Sequence, residues 1–339
     1  MSKKQNRGDT PDCRKAKDPR RVRIAMVGAG EMANRFHYPS LASFEDVEIV
    51  GVCDVDRQRL NATARKYGIK NRYADYAKMI GEQEPDGVYV IGQPHFVYDV
   101  WMGCLSQGQN LCIEKPMGLT IHQARSLAHL AEQNRCITQV IFQRRSCPLL
   151  VKLRNECLKR GPITHALCRF YKCEIEPRFD ARDHVMDDTV HSIDTLRWTC
   201  GGEVIDIESH VRRVGVPDIN FVSATLHFDN GSVGYLINSW SSGRRIFDVE
   251  MHAPGVCAEV DIEEKGAIYA DGDTAGVTYD TRDVAGSDAF HVYAGFQAKN
   301  REFIDALKKA ALPESNFSDA LKTMEVAEKI LAQATLLDL

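Results

Sequence analysis

Short apolar runs recur between residues 22 and 142, and each gap between them is long enough for a helix. VRIAMVG (22–28), VEIVGVCD (47–54), GVYVIG (87–92), NLCIE (110–114) and ITQVIF (137–142) are mostly apolar and rich in β-branched residues. Strands covered on both faces read this way, because neither side offers water to a polar residue. The clearest helix between them opens at Thr120, a good N-cap, and places Ile121, Ala124, Leu127, Ala128 and Ala131 on one face. Strand, helix, strand in this order predicts a parallel, doubly wound sheet.

Past residue 147 the pattern changes. Helices are expected over 147–160 and around 187–199. The runs VIDIESHVRRVG, FVSATLHF, SVGYLINSW, RIFDVEMHA and VCAEVDIE then follow without helices between them. Consecutive strands predict an antiparallel sheet, and Asp229-Asn230-Gly231-Ser232 is a hairpin signal between two of them. Amphipathic helices over about 294–310 and 319–335 close the chain, the second opened by Ser318 and Asp319.

Composition adjusts this picture only slightly. A chain of 339 residues suits two domains, and 44% hydrophobic with 27% charged residues is the profile of a globular protein. With 47 acidic against 43 basic side chains, a net charge of −4, nucleic acid is not the expected partner. No run approaches the length of a membrane span. The 11 cysteines include no C-x-x-C pair, and several lie in apolar runs (Cys53, Cys112, Cys168), so a reducing, cytoplasmic setting is expected. The first 21 residues are polar, basic and unpatterned, and read as a disordered tail.

Gly28-Ala29-Gly30-Glu31-Met32-Ala33 fits G-x-G-x-x-G/A, directly after a strand and opening a helix. Gly28 permits the tight turn, Gly30 leaves room for a pyrophosphate, and Ala33 lets helix and strand pack closely. Glu31 and Met32 fall in the same loop, where helix N–H groups face the phosphates. The second strand ends at Asp54, whose carboxylate suits the adenosine ribose hydroxyls and repels a 2′-phosphate, so NAD is expected. Arg57, three residues on, suits a 2′-phosphate and keeps NADP open. The fold class is therefore α/β: an N-terminal Rossmann doubly wound parallel sheet over 22–145, and a C-terminal α+β domain with a large, mostly antiparallel open sheet over 146–339. The final helix is free to pack back on the first domain.

The fifth run ends in Glu114-Lys115-Pro116. Ligands of such sheets lie beyond the carboxyl ends of the strands, so Lys115 should point at the nicotinamide end of the crevice. Pro116 pushes Lys115 toward an extended backbone, and Glu114 can bond within the turn or pair with a base. Gln93, Pro94 and His95 follow the fourth strand and should line the same site. In VMDDTVHSIDTLRW (185–198), a helix would put Asp187 and His191 on one face with Asp194 nearby, and a histidine beside carboxylates makes a general base. His184, Asp187, Asp188 and His191 are suitable metal ligands, but their spacing matches no standard zinc helix, so no metal is expected. Arg144 and Arg145 read equally as a surface ion pair or as contacts to cofactor or an anionic substrate.

GAGEMA, the strand ending in Asp54 and the E-K-P turn together resemble the glucose–fructose oxidoreductase / inositol dehydrogenase / MocA (Gfo/Idh/MocA) family. FQRRSCP (142–148) resembles its domain crossover, SDALKTMEVAEKILAQA its C-terminal helix, and Asp187, His191, Asp194 and Trp198 its D-x-G-x-H-x-x-D-x-x-x-W stretch, with Thr189 in place of the glycine. The likeness covers about residues 22–335. It implies hydride transfer between a nicotinamide and a secondary alcohol or ketone of a sugar, sugar derivative or polyol. Lys115 would contact the reacting oxygen, His191 would act as general acid/base, and an aspartate would orient it or bind substrate. It also implies a homodimer or homotetramer through the C-terminal sheet. Many members carry T-P-x-x-x-H after the fourth strand; here Pro94 and His95 are shifted and Val97 stands where the later histidine would fall. Two other readings occur within the family: a cofactor-binding regulator without turnover, and an NAD-dependent glycosidase.

Overall fold

A computed structural model describes residues 21–177 and 184–337. The basic tail lies outside the described residues, apart from Arg21. The first sheet holds six parallel strands: β1 (Val22–Val27), β2 (Val47–Cys53), β3 (Arg72–Tyr73), β4 (Gly87–Val90), β5 (Leu111–Ile113) and β6 (Thr138–Val140), in the order β3-β2-β1-β4-β5-β6. This is the expected doubly wound sheet, with its switch point between β1 and β4. Most residues of β1, β2, β4, β5 and β6 are buried, as their continuous apolar runs require.

The second sheet is larger. β7 (His165–Cys173), β8 (Val204–Arg212), β9 (Phe221–Phe228), β10 (Val233–Ser239), β11 (Ser241–Ala253), β12 (Val256–Asp261), β13 (Lys265–Ala270) and β14 (Val277–Asp280) pair in the order β14-β13-β12-β11-β7-β10-β9-β8. Pairing is antiparallel except between β10 and β7, which run parallel. The β9–β10 hairpin turns on Asn230-Gly231, and Gly231 takes φ +84° there. β9 alternates strictly between buried and half-buried positions, the mark of a sheet with one covered face.

Helices 190–200 and 148–158 cover the inner face of this sheet, and helix 317–337 packs across helix 190–200, β8 and helix 121–133 of the first domain. One apolar core consequently runs without a break from Val88, Ile113 and Leu127 through Phe142 to Phe170, Trp240 and Met324. The opposite face of the first sheet is covered by helix 296–309, whose Phe303 and Ile304 pack with Ile24 and Tyr89. Both closing helices thus return to the first sheet, which needs cover on both faces. The chain also finishes that sheet's edge: Val140 donates its N–H to the Ser315 carbonyl at 2.9 Å, and Ser315 Oγ donates to the Val140 carbonyl at 2.7 Å.

Candidate active site

The glycine loop is set by sterics. Gly28 has φ +106°, and a Cβ there would lie 2.1 Å from the Ile91 carbonyl oxygen on the neighbouring strand end. Nothing lies within 4 Å of where a Gly30 Cβ would stand, so this backbone faces open space, as close approach of a pyrophosphate requires. Asp54 closes the loop from β2: Oδ2 accepts the Ala29 N–H at 2.7 Å and Oδ1 the Asp56 N–H at 2.7 Å. Each carboxylate oxygen keeps a further lone pair for a ribose hydroxyl. Glu31, Met32 and Arg57 are exposed around this loop, and the Glu31 carboxylate lies 3.7 Å from Arg35. Asn34, which the motif does not single out, holds the loop to the next helix. Its amide donates to the Ala29 carbonyl at 2.8 Å and to Thr63 Oγ1 at 2.8 Å.

At the end of β4, Gln93 is the N-cap of helix 94–106. Gln93 and His95 are exposed at its start, while Pro94 is buried. The helix begins beyond the carboxyl end of β4, on the same side of the sheet as the glycine loop and the E-K-P turn.

Lys115 leaves the end of β5 and reaches the second domain. Its Nζ donates to the Asp187 carbonyl at 2.8 Å and to Asp187 Oδ1 at 3.0 Å, and lies 3.5 Å from Asp188 Oδ1. The Lys115–Pro116 bond is cis. Burial alone would pull the lysine pKa down, but the Asp187 and Asp188 carboxylates outweigh it and hold it above its usual value.

Residues 185–189 form a π-helical turn before helix 190–200. The spacing that would put Asp187 under His191 assumes an α-helix; in this wider turn the Asp187 carboxylate goes to Lys115 and makes no hydrogen bond to the His191 ring. Asp188 lies deeper. It accepts from Lys172 Nζ at 2.6 Å and from Trp240 Nε1 at 3.0 Å. Burial works against its charge, but Lys115 and Lys172 overcome it and hold the carboxyl well below the usual range.

His191 is 6% exposed and sits edge-on to Phe142 and Phe170. Its Nδ1 is enclosed without a hydrogen-bond partner among the described residues. Burial first, then the charges of Arg144 and Lys115, push its pKa well below the ordinary histidine value, with Asp188 opposing. The ring is therefore neutral at neutral pH and able to take a proton.

The two crossover arginines separate sharply. Arg145 is buried and held in ion pairs: its Nε donates to Asp194 Oδ2 at 2.7 Å, and its Nη2 reaches Asp194 Oδ1 and, at 2.8 Å, Asp319 of the final helix. Arg197 joins the same network at Asp319, 2.9 Å away. Asp194 is thereby committed to holding helices together and does not pair with His191. Arg144 is 4% exposed and lies over Phe247 at 3.7 Å and Phe170 at 4.7 Å, with Nε and Nη1 unpartnered among the described residues. Burial, then Arg245, lower its pKa to about 10.

Glu174, His184 and Asp188 each place one ligand atom within 4.8 Å of the others. The cation between two of them is the protein's own: Lys172 Nζ lies 2.6 Å from Asp188 and 3.1 Å from Glu174. Sequence reasoning did not find Lys172, on β7, or Trp240, at the bend between β10 and β11, because pairing of distant segments decides where they point.

Comparison with known proteins agrees with this geometry. Residues 22–142 match the oxidoreductase family with an NAD-binding Rossmann fold, and residues 163–255 match the GFO/IDH/MocA C-terminal domain. The D-glucoside 3-dehydrogenase of Escherichia coli is 32% identical over 112 residues, which are 33% of this chain and 32% of that protein. The rhizopine catabolism protein MocA of Rhizobium meliloti is 31% identical over 190 residues, 54% of this chain and 58% of its own. The matched segments thus span about a third and somewhat over half of these relatives. A dehydrogenase structure from Chromobacterium violaceum superposes with a TM-score of 0.85 at 20% identity, over 94% of this chain and 97% of that one. Motifs, two successive domain matches and the shared architecture agree, and the chain belongs to the Gfo/Idh/MocA family of oxidoreductases.

Proposed function

We propose that this protein is an NAD-dependent dehydrogenase or reductase acting on a secondary alcohol or ketone of a sugar, sugar derivative or polyol. The observation that carries the reading is the meeting of Lys115 with the 187–191 turn at the carboxyl end of the parallel sheet. Nicotinamide, when bound, supplies the hydride acceptor. The chain supplies the rest. Lys115 donates a hydrogen bond to the reacting oxygen and stabilises its developing negative charge. His191, neutral and with Nδ1 unpartnered among the described residues, takes the hydroxyl proton in oxidation and returns it in reduction. Asp187 holds the lysine ammonium in place and offers an acceptor to a neighbouring hydroxyl.

The carboxylate of Asp54 on the glycine loop favours NAD over NADP, since a 2′-phosphate there would face a negative charge. The relative named D-glucoside 3-dehydrogenase supports the sugar class. The half-buried outer positions of the second sheet, with Tyr235 and Ile205 exposed among them, fit a homodimer or homotetramer formed through that sheet. All ten cysteines among the described residues are free, which fits the cytoplasm.

The deciding experiment is NADH formation from NAD with a panel of sugars, sugar derivatives and polyols, run with the parent protein and Lys115→Ala. Turnover by the parent that falls about 100-fold or more in the variant, with NAD affinity kept, supports the reading. Equal turnover by both overturns it. Binding of NAD with no turnover across the panel points instead to a regulator, and release of a sugar from a glycoside without net NADH points to a glycosidase.

A further inference from the structure

Glu114 is 8% exposed and His37 fully enclosed, and the two meet from different elements. His37 Nε2 lies 2.9 Å from Glu114 Oε1. On the other side of the ring, Nδ1 lies 3.1 Å from Asn300 Oδ1. The Asn300 amide is oriented independently, because its Nδ2 donates to the Phe296 carbonyl at 2.8 Å, so the atom facing His37 is the oxygen. Nδ1 must therefore carry a hydrogen. A second proton must then lie between Nε2 and Glu114; without it two lone pairs would face each other at 2.9 Å. The ring and carboxyl thus form a buried proton-sharing pair, tied at one end to helix 296–309.

The other oxygen of Glu114 carries the argument to the active site. Oε2 accepts the backbone N–H of Lys115 at 3.2 Å. His37 belongs to the π-turn 33–37, in the helix that opens at the glycine loop. That turn also carries Asn34, which holds the Ala29 carbonyl. A continuous set of hydrogen bonds therefore runs from the glycine loop, through one helical turn, to the backbone of the lysine.

We propose that Glu114 and His37 are positioning residues that fix Lys115 in register with the dinucleotide-binding loop. This rests on the reading of Lys115 as the residue that contacts the reacting oxygen. Neither side chain touches the reacting atoms; both act through the lysine backbone. A displacement of about 1 Å at such a group can cost on the order of 100-fold in rate.

Glu114→Gln tests this in the full-length protein, since it keeps shape and one acceptor while removing the carboxylate. With whichever panel compound the parent turns over, kcat is expected to fall about 10- to 100-fold, with NAD affinity within about threefold of the parent. In a Lys115→Ala background the same substitution is expected to change the residual rate less than about threefold. Equal fold losses in both backgrounds would mean a purely structural role and overturn the inference. The crystal structure of Glu114→Gln judges it separately. Movement of Lys115 Nζ off Asp187 supports it, and retention of the 3.0 Å contact sinks it, whether or not Lys115 proves catalytic. Lys115→Ala alone judges the catalytic reading. His37→Gln, which cannot complete both bonds of the ring, repeats the test should Glu114→Gln fail to fold.

Discussion

Lys115 and Asp187 grip each other across the two domains: the ammonium donates to both the backbone carbonyl and the carboxylate of the same aspartate, at 2.8 and 3.0 Å. A lysine at the end of a strand in one sheet is thereby located by a helical turn belonging to the other. The lysine tip and the His191 ring are thus located by one segment, residues 187–191.

Removal of the Asp188 charge is expected to cost more stability than removal of the Asp187 charge. Asp188 is buried and faces Lys115, Lys172 and Trp240, so Asp188→Asn leaves two ammonium groups short of a counter-charge. The expected loss is about 3–5 kcal/mol, against about half of that or less for Asp187→Asn, whose site is more open. Denaturant unfolding of both variants reads the difference, and equal losses would contradict it.

The pH dependence has a definite sign. The His191 pKa in the folded protein lies well below its usual value near 6.5, so between the two the unfolded chain binds the extra proton. Its contribution to stability is complete above about pH 6.5 and is lost as the pH falls through that value toward the folded pKa. The acid limb of kcat/KM for alcohol oxidation should accordingly lie below pH 6.5. Lys115, shifted upward, should add no basic limb below about pH 10. A pH–rate profile with its acid limb at or above 6.5 would rule out this assignment of the base.

Arg144→Met is expected to move that limb. The guanidinium is one of the charges that depress His191, so its removal should shift the acid limb to higher pH. Stability should change by less than about 1.5 kcal/mol, because Arg144 has no ion-pair partner among the described residues and lies on two phenylalanine faces that a methionine also covers. Arg145→Met should behave in the opposite way. It strips Asp194 and Asp319 of their buried partner and should cost about 3–5 kcal/mol with no shift of the limb. Urea unfolding and pH profiles of the two variants separate these roles.

Gly28→Ala should abolish NAD binding. The added Cβ would stand 2.1 Å from the Ile91 carbonyl oxygen, at a φ of +106° that alanine rarely adopts. Either the turn opens or β1 moves against β4, and both spoil the loop. Isothermal titration with NAD reads the loss, and binding within about threefold of the parent would refute the role given to this turn.

The first sheet is legible in the sequence because its strands are covered on both faces and read as unbroken apolar runs. β3 is not, since Arg72–Tyr73 is too short and too polar to leave a run. β7 escapes for a different reason. HALCRFYKC alternates charge with apolar residues because one face of its sheet is open, and its parallel pairing with β10 is a contact between distant segments. β13 and β14 are short and largely unburied. Topology makes the common location of Gly28, Asp54 and Lys115 legible, since the ends of parallel strands gather at one edge. The partners of these residues were harder to see. Asp194 finds Arg145, Asp188 finds Lys172 and Glu114 finds His37 through tertiary packing. The π-turn at 185–189 also defeats the spacing argument, which assumes 3.6 residues per turn.

The stitch between Val140 and Ser315 bears on how the chain is made. β6 is the last strand of the first sheet to leave the ribosome, yet the residues that cover its edge follow it by some 175 positions. The nascent first domain must wait with an open strand edge, and with the face later covered by helix 296–309 bare. Expression of residues 1–145 alone should accordingly yield a sticky, incomplete sheet. The two domains are separate in sequence but share one core and one sheet edge.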